Sequence, residues 1–214
     1  MIVLHIGPMT NQSTQKIKKI CVYCGSGPGT NPAFIGAARE FGGILAKNKI
    51  GLVYGGGNVG MMGEVARAVL AQGGDVTGII PDFLVQREHA NRNVDNLIVT
   101  RDMHERKRKM FELADAFVAM PGGIGTLEEL VEQLTWAQLG RHKKPILIAN
   151  IDGFWQPLCD LLEHMKQTQF IRDGLSFDLL VANKAGDILP KLQHAIAPVE
   201  EHEKQMKVAQ PHQL

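Results

Sequence analysis

Ala116-Phe117-Val118-Ala119-Met120 runs into Pro121-Gly122-Gly123-Ile124-Gly125-Thr126, and Leu127-Glu128-Glu129 opens a helical pattern that continues to Leu139. The order is strand, glycine turn, helix. Three glycines in four positions leave the backbone bare and free to take positive φ. Such a turn exposes N–H groups at a helix start, where hydrogen bonds and the helix dipole stabilise an anion. Thr126 can cap the helix or bind the same anion. A plainer reading is also open: the glycines make the turn, and Glu128 and Glu129 complement the dipole in the first turn.

The same grammar repeats on both sides of this stretch. Residues 19–24 read as a first buried strand, followed by Gly25-Ser26-Gly27-Pro28-Gly29 and a helix over 32–47. Residues 51–54 form a second strand, Gly55-Gly56-Gly57 and Gly60 its turn, and 61–72 its helix. A third strand covers 75–80. Residues 81–96 read as a polar surface loop that carries Glu88, and 97–99 as a short strand. A helix over 103–113 precedes the strand at 116–120, and the helix after the glycine turn covers 127–139. Residues 145–149 are the last core strand, with closing helices over 155–167 and 185–196. Strands rich in Val and Ile that alternate with helices predict an α/β fold: one doubly wound domain, a mostly parallel sheet with helices on both faces. The domain is expected over 19–197, with a loose extension over 1–18 and a polar tail over 198–214.

Composition narrows the function. The chain has 214 residues, 44% of them hydrophobic, and a formal net charge of +1. One domain of this length buries a real core. Near-neutral charge argues against a nucleic-acid partner, which needs a basic face. No apolar run approaches the roughly 18 residues of a membrane span. Three cysteines, an odd number, fit a reducing cytoplasm better than a disulfide framework. Cys21-x-x-Cys24 lies within a strand rather than at a helix start, so a redox role is not expected of it. The eight histidines have no ligand spacing, so no metal is expected.

Two helices carry candidate chemistry. At about 100° per residue, Met103, Met110, Phe111 and Ala114 form one arc, and Arg106 and Lys107 fall inside it or on its edge. Glu105, Arg108 and Lys109 fall outside and read as a solvated face. A guanidinium on an apolar stripe must be paired or bind something, because an unpaired buried charge is costly. Its donor fork suits phosphate or carboxylate, and a structural salt bridge stays open as the alternative. On the next helix, Leu127, Leu130, Val131 and Leu134 read as the core stripe. Glu129, Glu132, Gln133 and Trp136 fall on the far side, where a large Trp calls for a cover such as a second subunit. Neither Arg106 nor Glu129 sits at the centre of a core stripe, so replacing either is expected to spare the fold.

Pro121-Gly122-Gly123-x-Gly125-Thr126-x-x-Glu129 resembles the signature of the LOG ("Lonely guy") family of cytokinin-activating phosphoribohydrolases. The likeness runs from about Lys19 to Leu192. It includes Val53-Tyr54-Gly55-Gly56-Gly57, Gly60-Met61-Met62-Gly63, Met103-His104-Glu105-Arg106-Lys107 and Thr135-Trp136-Ala137-Gln138-Leu139-Gly140. The family shows Gly-Ser-Ser after the first strand, and here Gly27 replaces the second serine. The resemblance implies a Rossmann-like fold. It also implies hydrolysis of the N-glycosidic bond of cytokinin riboside 5′-monophosphates, with AMP as a further substrate, giving free base and ribose 5-phosphate. It places Arg106 and Glu129 on catalytic positions. Ser26, Gly56, Glu88, Lys107, Gly122, Gly123, Gly125, Thr126, Glu128 and Thr135 fall on substrate-binding positions. It implies a homo-oligomer, a dimer foremost and a hexamer second, and no cofactor.

Similar sequences have been called lysine decarboxylases, but that chemistry needs pyridoxal phosphate on a dedicated lysine, which these motifs do not supply. Related Rossmann-like proteins with the same loop carry nucleotide-like cofactors such as the molybdenum cofactor. A carrier is therefore the alternative function. A carrier needs the phosphate turn but not both Arg106 and Glu129. A dehydrogenase is disfavoured, because the first glycine turn departs from G-x-G-x-x-G.

Overall fold

The computed structural model describes residues 16–87, 90, 91, 94, 96–171 and 179–196. Seven parallel strands form one sheet: β1 (Lys19–Tyr23), β2 (Gly51–Tyr54), β3 (Val76–Pro81), β4 (Asn96–Thr100), β5 (Ala116–Ala119), β6 (Ile146–Ala149) and β7 (Leu179–Ala182). The spatial order is β4-β3-β2-β1-β5-β6-β7. The central register pairs Val22 with Tyr54 on one side and with Val118 on the other. The expected α/β architecture is what the chain adopts. The sequence reading missed β7, whose short Leu179-Leu180-Val181-Ala182 run pairs with β6 from Ile146↔Leu179 to Ala149↔Ala182.

Among the described residues six helices cover the sheet: α1 (Pro32–Lys47), α2 (Gly60–Leu70), α3 (Met103–Leu113), α4 (Ile124–Gln138), α5 (Gln156–Gln167) and α6 (Ile188–Ala195). Strand alternation sorts the core into two layers. Ile20, Val22 and Cys24 face the layer with Phe41 of α1, Val65 of α2 and Leu192 of α6. Cys21 and Tyr23 face the layer with Met110 of α3, Leu130 of α4 and Leu162 of α5. Cys21 and Cys24 therefore project to opposite faces and are not joined in a disulfide. Burial, and then the Glu129 charge, push the Cys21 thiol well above its ordinary value, so it is held as an inert thiol. Helices α1 and α2 approach closely at Gly42, where a Cβ would lie 2.6 Å from the Val65 carbonyl oxygen.

The described end of the expected extension is part of the fold. Ile17 is buried, and the Lys18 and Lys19 amides donate to the Asp115 carboxylate at 2.8 and 2.9 Å. Residues 1–15 and the tail expected over 198–214 lie outside the described residues, as does Glu88. No described helix is long and apolar enough to cross a membrane.

Candidate active site

Strand β1 leads to a helix on one face and its neighbour β5 to a helix on the other, which opens a crevice at the carboxyl ends of these two strands. The turns after β1 and β5 meet there: the Gly25 amide donates to the Pro121 carbonyl at 3.1 Å. Gly122 is wedged between them. A Cβ on it would lie 2.2 Å from Thr126 Oγ1 and 2.9 Å from the Gly25 nitrogen. The expected positive φ is not found in this turn; Gly56, at φ 80°, and Gly60, at φ 59°, in the second turn adopt it instead. Gly122 is needed for close approach. Gly123 and Gly125 are exposed, with nothing within 4 Å of a Cβ, so their backbone stays open to a ligand.

Helix starts differ in what satisfies them. Asn31 caps α1 by accepting from the Ala33 amide, and Asp102 caps α3 by accepting from the Glu105 amide at 2.7 Å. The first amides of α2, Met61 and Met62, donate to the carbonyls of Gly27 and Gly25. Helix α4 starts at Ile124, three residues earlier than expected, with Gly123 as N-cap and no side-chain cap. Gly125 and Thr126 thus belong to its first turn, where N–H groups have no acceptor four residues back. That first turn borders a cavity of about 310 Å³, lined also by Ser26, Gly55, Met62, Arg106 and Glu129.

Arg106 of α3 and Glu129 of α4 face each other in this cavity at 3.7 Å, with side chains 7% and 8% exposed. The guanidinium is fixed from behind: Nε donates to the Ile79 carbonyl at 3.2 Å and Nη2 to the Gly55 carbonyl at 3.4 Å. A Cβ on Gly55 would fall 2.3 Å from Arg106 Nη2, so a side chain there would displace the guanidinium. Tyr23 forms part of the wall, its ring stacked on Phe117 at 6.0 Å. Burial, then Cys21 and Glu129, push its hydroxyl well above the ordinary range, so it stays protonated. The site thus combines a fixed cation, a buried carboxylate and an open helix start.

Of the residues expected at the site, Ser26, Arg106, Gly123, Gly125, Thr126 and Glu129 line the cavity. Gly56 stands just behind, its carbonyl accepting from the Asn91 amide, and its neighbour Gly55 is the lining glycine. Lys107 pairs with Glu128 and, at 3.1 Å, with Glu132, tying α3 to α4 outside the cavity. Burial alone would lower the Lys107 ammonium, but these two carboxylates hold it above its ordinary value. Thr135 lies on the exposed face of α4, its hydroxyl donating to the Val131 carbonyl at 2.8 Å. Gly55 and Met62 were within reach of the sequence reading, because both belong to motifs it quoted.

The face assigned to α4 needs correction. Its buried stripe is Thr126, Glu129, Leu130, Gln133 and Leu134, so Glu129 and Gln133 point inward. Val131, expected in the core, is 43% exposed and continues an apolar stripe with Ile124 and Leu139. Trp136 is half-buried against Phe111 of α3, edge to face at 5.1 Å. Helix α4 meets α3 through Trp136 on Phe111 and through the Arg106–Glu129 and Lys107–Glu132 pairs, and its buried arc includes polar residues.

Among the described residues no group of His, Cys, Asp and Glu is arranged to hold a metal ion. No lysine lines the cavity.

A family model described as "Possible lysine decarboxylase" matches residues 62–192. The chain is 42% identical over 185 residues to the cytokinin riboside 5′-monophosphate phosphoribohydrolase LOG of Oryza sativa subsp. japonica, covering 86% of this chain and 76% of that one. It is 41% identical over 182 residues to a cytokinin riboside 5′-monophosphate phosphoribohydrolase of Arabidopsis thaliana, covering 85% and 84%. Among solved structures, the molybdenum cofactor binding protein of Rippkaea orientalis shares the fold. Its TM-score is 0.65 at 24% identity, over 86% of this chain and all of that one. With relatives of this identity along most of its length and the family model over more than half of it, the protein belongs to the LOG family.

Proposed function

We propose that the protein hydrolyses the N-glycosidic bond of cytokinin riboside 5′-monophosphates, and of AMP alongside them. The observation that carries this reading is the Arg106–Glu129 pair facing the uncapped start of α4 inside one cavity. The 5′-phosphate binds the amides of the α4 first turn and the Thr126 hydroxyl, with Ser26 on the opposite turn. This sets the ribose beside Glu129. Water attacks C1′ as the C1′–N bond breaks. The electron pair of that bond leaves with the base, which takes a proton, and the hydroxyl stays on ribose 5-phosphate. Glu129 stabilises the oxocarbenium-like centre and orients the water, and Arg106, 3.7 Å away, holds that carboxylate in place. A cofactor carrier would use the phosphate turn but has no need of this buried pair.

The protein acts as a homo-oligomer, a dimer foremost. Ile124, Val131 and Leu139 form an exposed apolar stripe along α4 that starts at the cavity mouth, and Thr135 lies on the same exposed side. A second copy laid on this stripe would bring its own α4 beside the site. Three cysteines, none in a disulfide, suit a reducing cytoplasm as the place of action.

The test is a panel of cytokinin riboside monophosphates, AMP and the matching nucleosides, with free base and ribose 5-phosphate as readouts. Monophosphates are turned over and nucleosides are not. Glu129→Gln lowers turnover by about 10²–10³. Equal turnover of adenosine and AMP would remove the phosphate role of the turn, and an active Glu129→Gln would move the carrier reading ahead.

A further inference from the structure

A second cavity, also about 310 Å³, lies against the other side of the same glycine turns. Phe34 of α1, Met61 of α2 and Phe154 wall it, and it shares Ser26 and Gly123 with the catalytic cavity. Among the described residues no charged side chain lines it. Phe34 and Phe154 meet edge to face at 5.4 Å, and Phe154 is 37% exposed. The polar cavity and the apolar one are thus back to back, with the phosphate turn as their common rim.

A mononucleotide uses only half of this arrangement. With its phosphate on the α4 amides and its ribose at Glu129, it fills the polar cavity and leaves the apolar one empty. A group that enters the apolar cavity while attached to the same ligand must be attached through the phosphate. It must also be neutral and largely apolar, because nothing in the walls pairs a charge. A volume near 300 Å³ is at the lower end of small-molecule sites, enough for one ring system. Open parallel sheets hold two-part nucleotides across this kind of switch point.

We infer that the protein also binds 5′,5′-linked dinucleotides. One nucleoside occupies the catalytic cavity, the bridging phosphates sit on the Gly123 rim, and the second base lies against Phe34, Met61 and Phe154. This rests on the phosphate position argued above. It adds a ligand class, one whose second half the catalytic cavity cannot hold.

The test compares AMP with diadenosine diphosphate by titration calorimetry. It uses the full chain carrying Glu129→Gln to slow hydrolysis, alone and combined with Gly27→Leu or Phe154→Ala. Gly27 borders only the apolar cavity, has no positive φ, and a Cβ there meets nothing within 4 Å. A leucine there adds bulk at the border of the apolar cavity with no clash at its Cβ, and melting curves check both variants. The expected result is dinucleotide binding at least about tenfold tighter than AMP, as an added buried ring would give. That advantage falls to within about threefold in Gly27→Leu and shrinks in Phe154→Ala, with AMP affinity unchanged in both. Equal affinity of the two ligands, or an advantage that survives in both variants, overturns the proposal. Loss of AMP affinity in Gly27→Leu overturns it too, since the apolar cavity would then hold the base of a mononucleotide. If AMP fails to bind while the dinucleotide binds and is blocked by Gly27→Leu, the monophosphate reading fails and the dinucleotide site stands.

Discussion

Arg106→Ala removes stability as well as turnover. The side chain is 7% exposed, and so is buried beside the Glu129 carboxylate, itself 8% exposed, at 3.7 Å. Alanine leaves that carboxylate buried without its cation and frees the Ile79 and Gly55 carbonyls. Breaking a buried ion pair by removing one partner costs roughly 3–5 kcal/mol. The separation is near the outer limit for an ion pair, and the freed Gly55 carbonyl borders the cavity, so the lower end applies, about 3 kcal/mol. For a domain of this size the melting temperature falls by roughly 6–12 °C. Glu129→Gln keeps the shape and leaves Arg106 its two carbonyl acceptors, so it loses about 1 kcal/mol. The double variant then loses less than the sum, with a coupling of about 1–2 kcal/mol. Urea unfolding of the four proteins, analysed as a double-mutant cycle, measures this. Single losses that add to within about 0.5 kcal/mol would show that the two side chains do not interact and refute the reasoning. The sequence placed neither residue at the centre of a core stripe, whereas both side chains are buried, and this is why a stability loss is expected of Arg106→Ala.

Lys107→Met cuts the tie from α3 to Glu128 and Glu132 without touching the cavity wall, so kcat falls by up to about 10²-fold while KM moves little. A rise in KM alone would instead put Lys107 on the substrate. Val131→Asp places a charge in the exposed α4 stripe and lowers the mass seen by light scattering; an unchanged mass removes that stripe as the interface. Burial alone would raise the Glu64 carboxyl, but Arg39 and Arg67 outweigh it and hold the group below its ordinary 4.5. Because the folded value is the lower one, this contribution is complete above pH 4.5 and fades as pH falls through the folded value. Glu64→Gln therefore flattens the acid limb of stability against pH, and a limb as steep as in the wild type would contradict the assignment.

Local patterns carried the sequence reading a long way. The apolar runs fixed β1, β2 and β5, because a strand buried on both faces needs little beyond Val, Ile and their kin. Helices α1 and α3 start where expected, at Pro32 and Met103, and the structure shows Asn31 and Asp102 capping them, because capping is decided by side chains within three residues of the helix start. The open glycine turn at the start of α4 was legible for the same reason: bare glycines followed by a helix are a local fact. The tertiary structure alone decided the rest. Periodicity gives the spacing of a stripe but not which neighbours will cover it, and the buried arc of α4 takes in Glu129 and Gln133. That arc brings Glu129 to Arg106 and leaves Val131 at the surface. Lys107 and Glu128 found each other across two helices, a pairing that no spacing along the chain encodes. The short β7 was missed because its four residues form a strand only where β6 offers an edge to pair with.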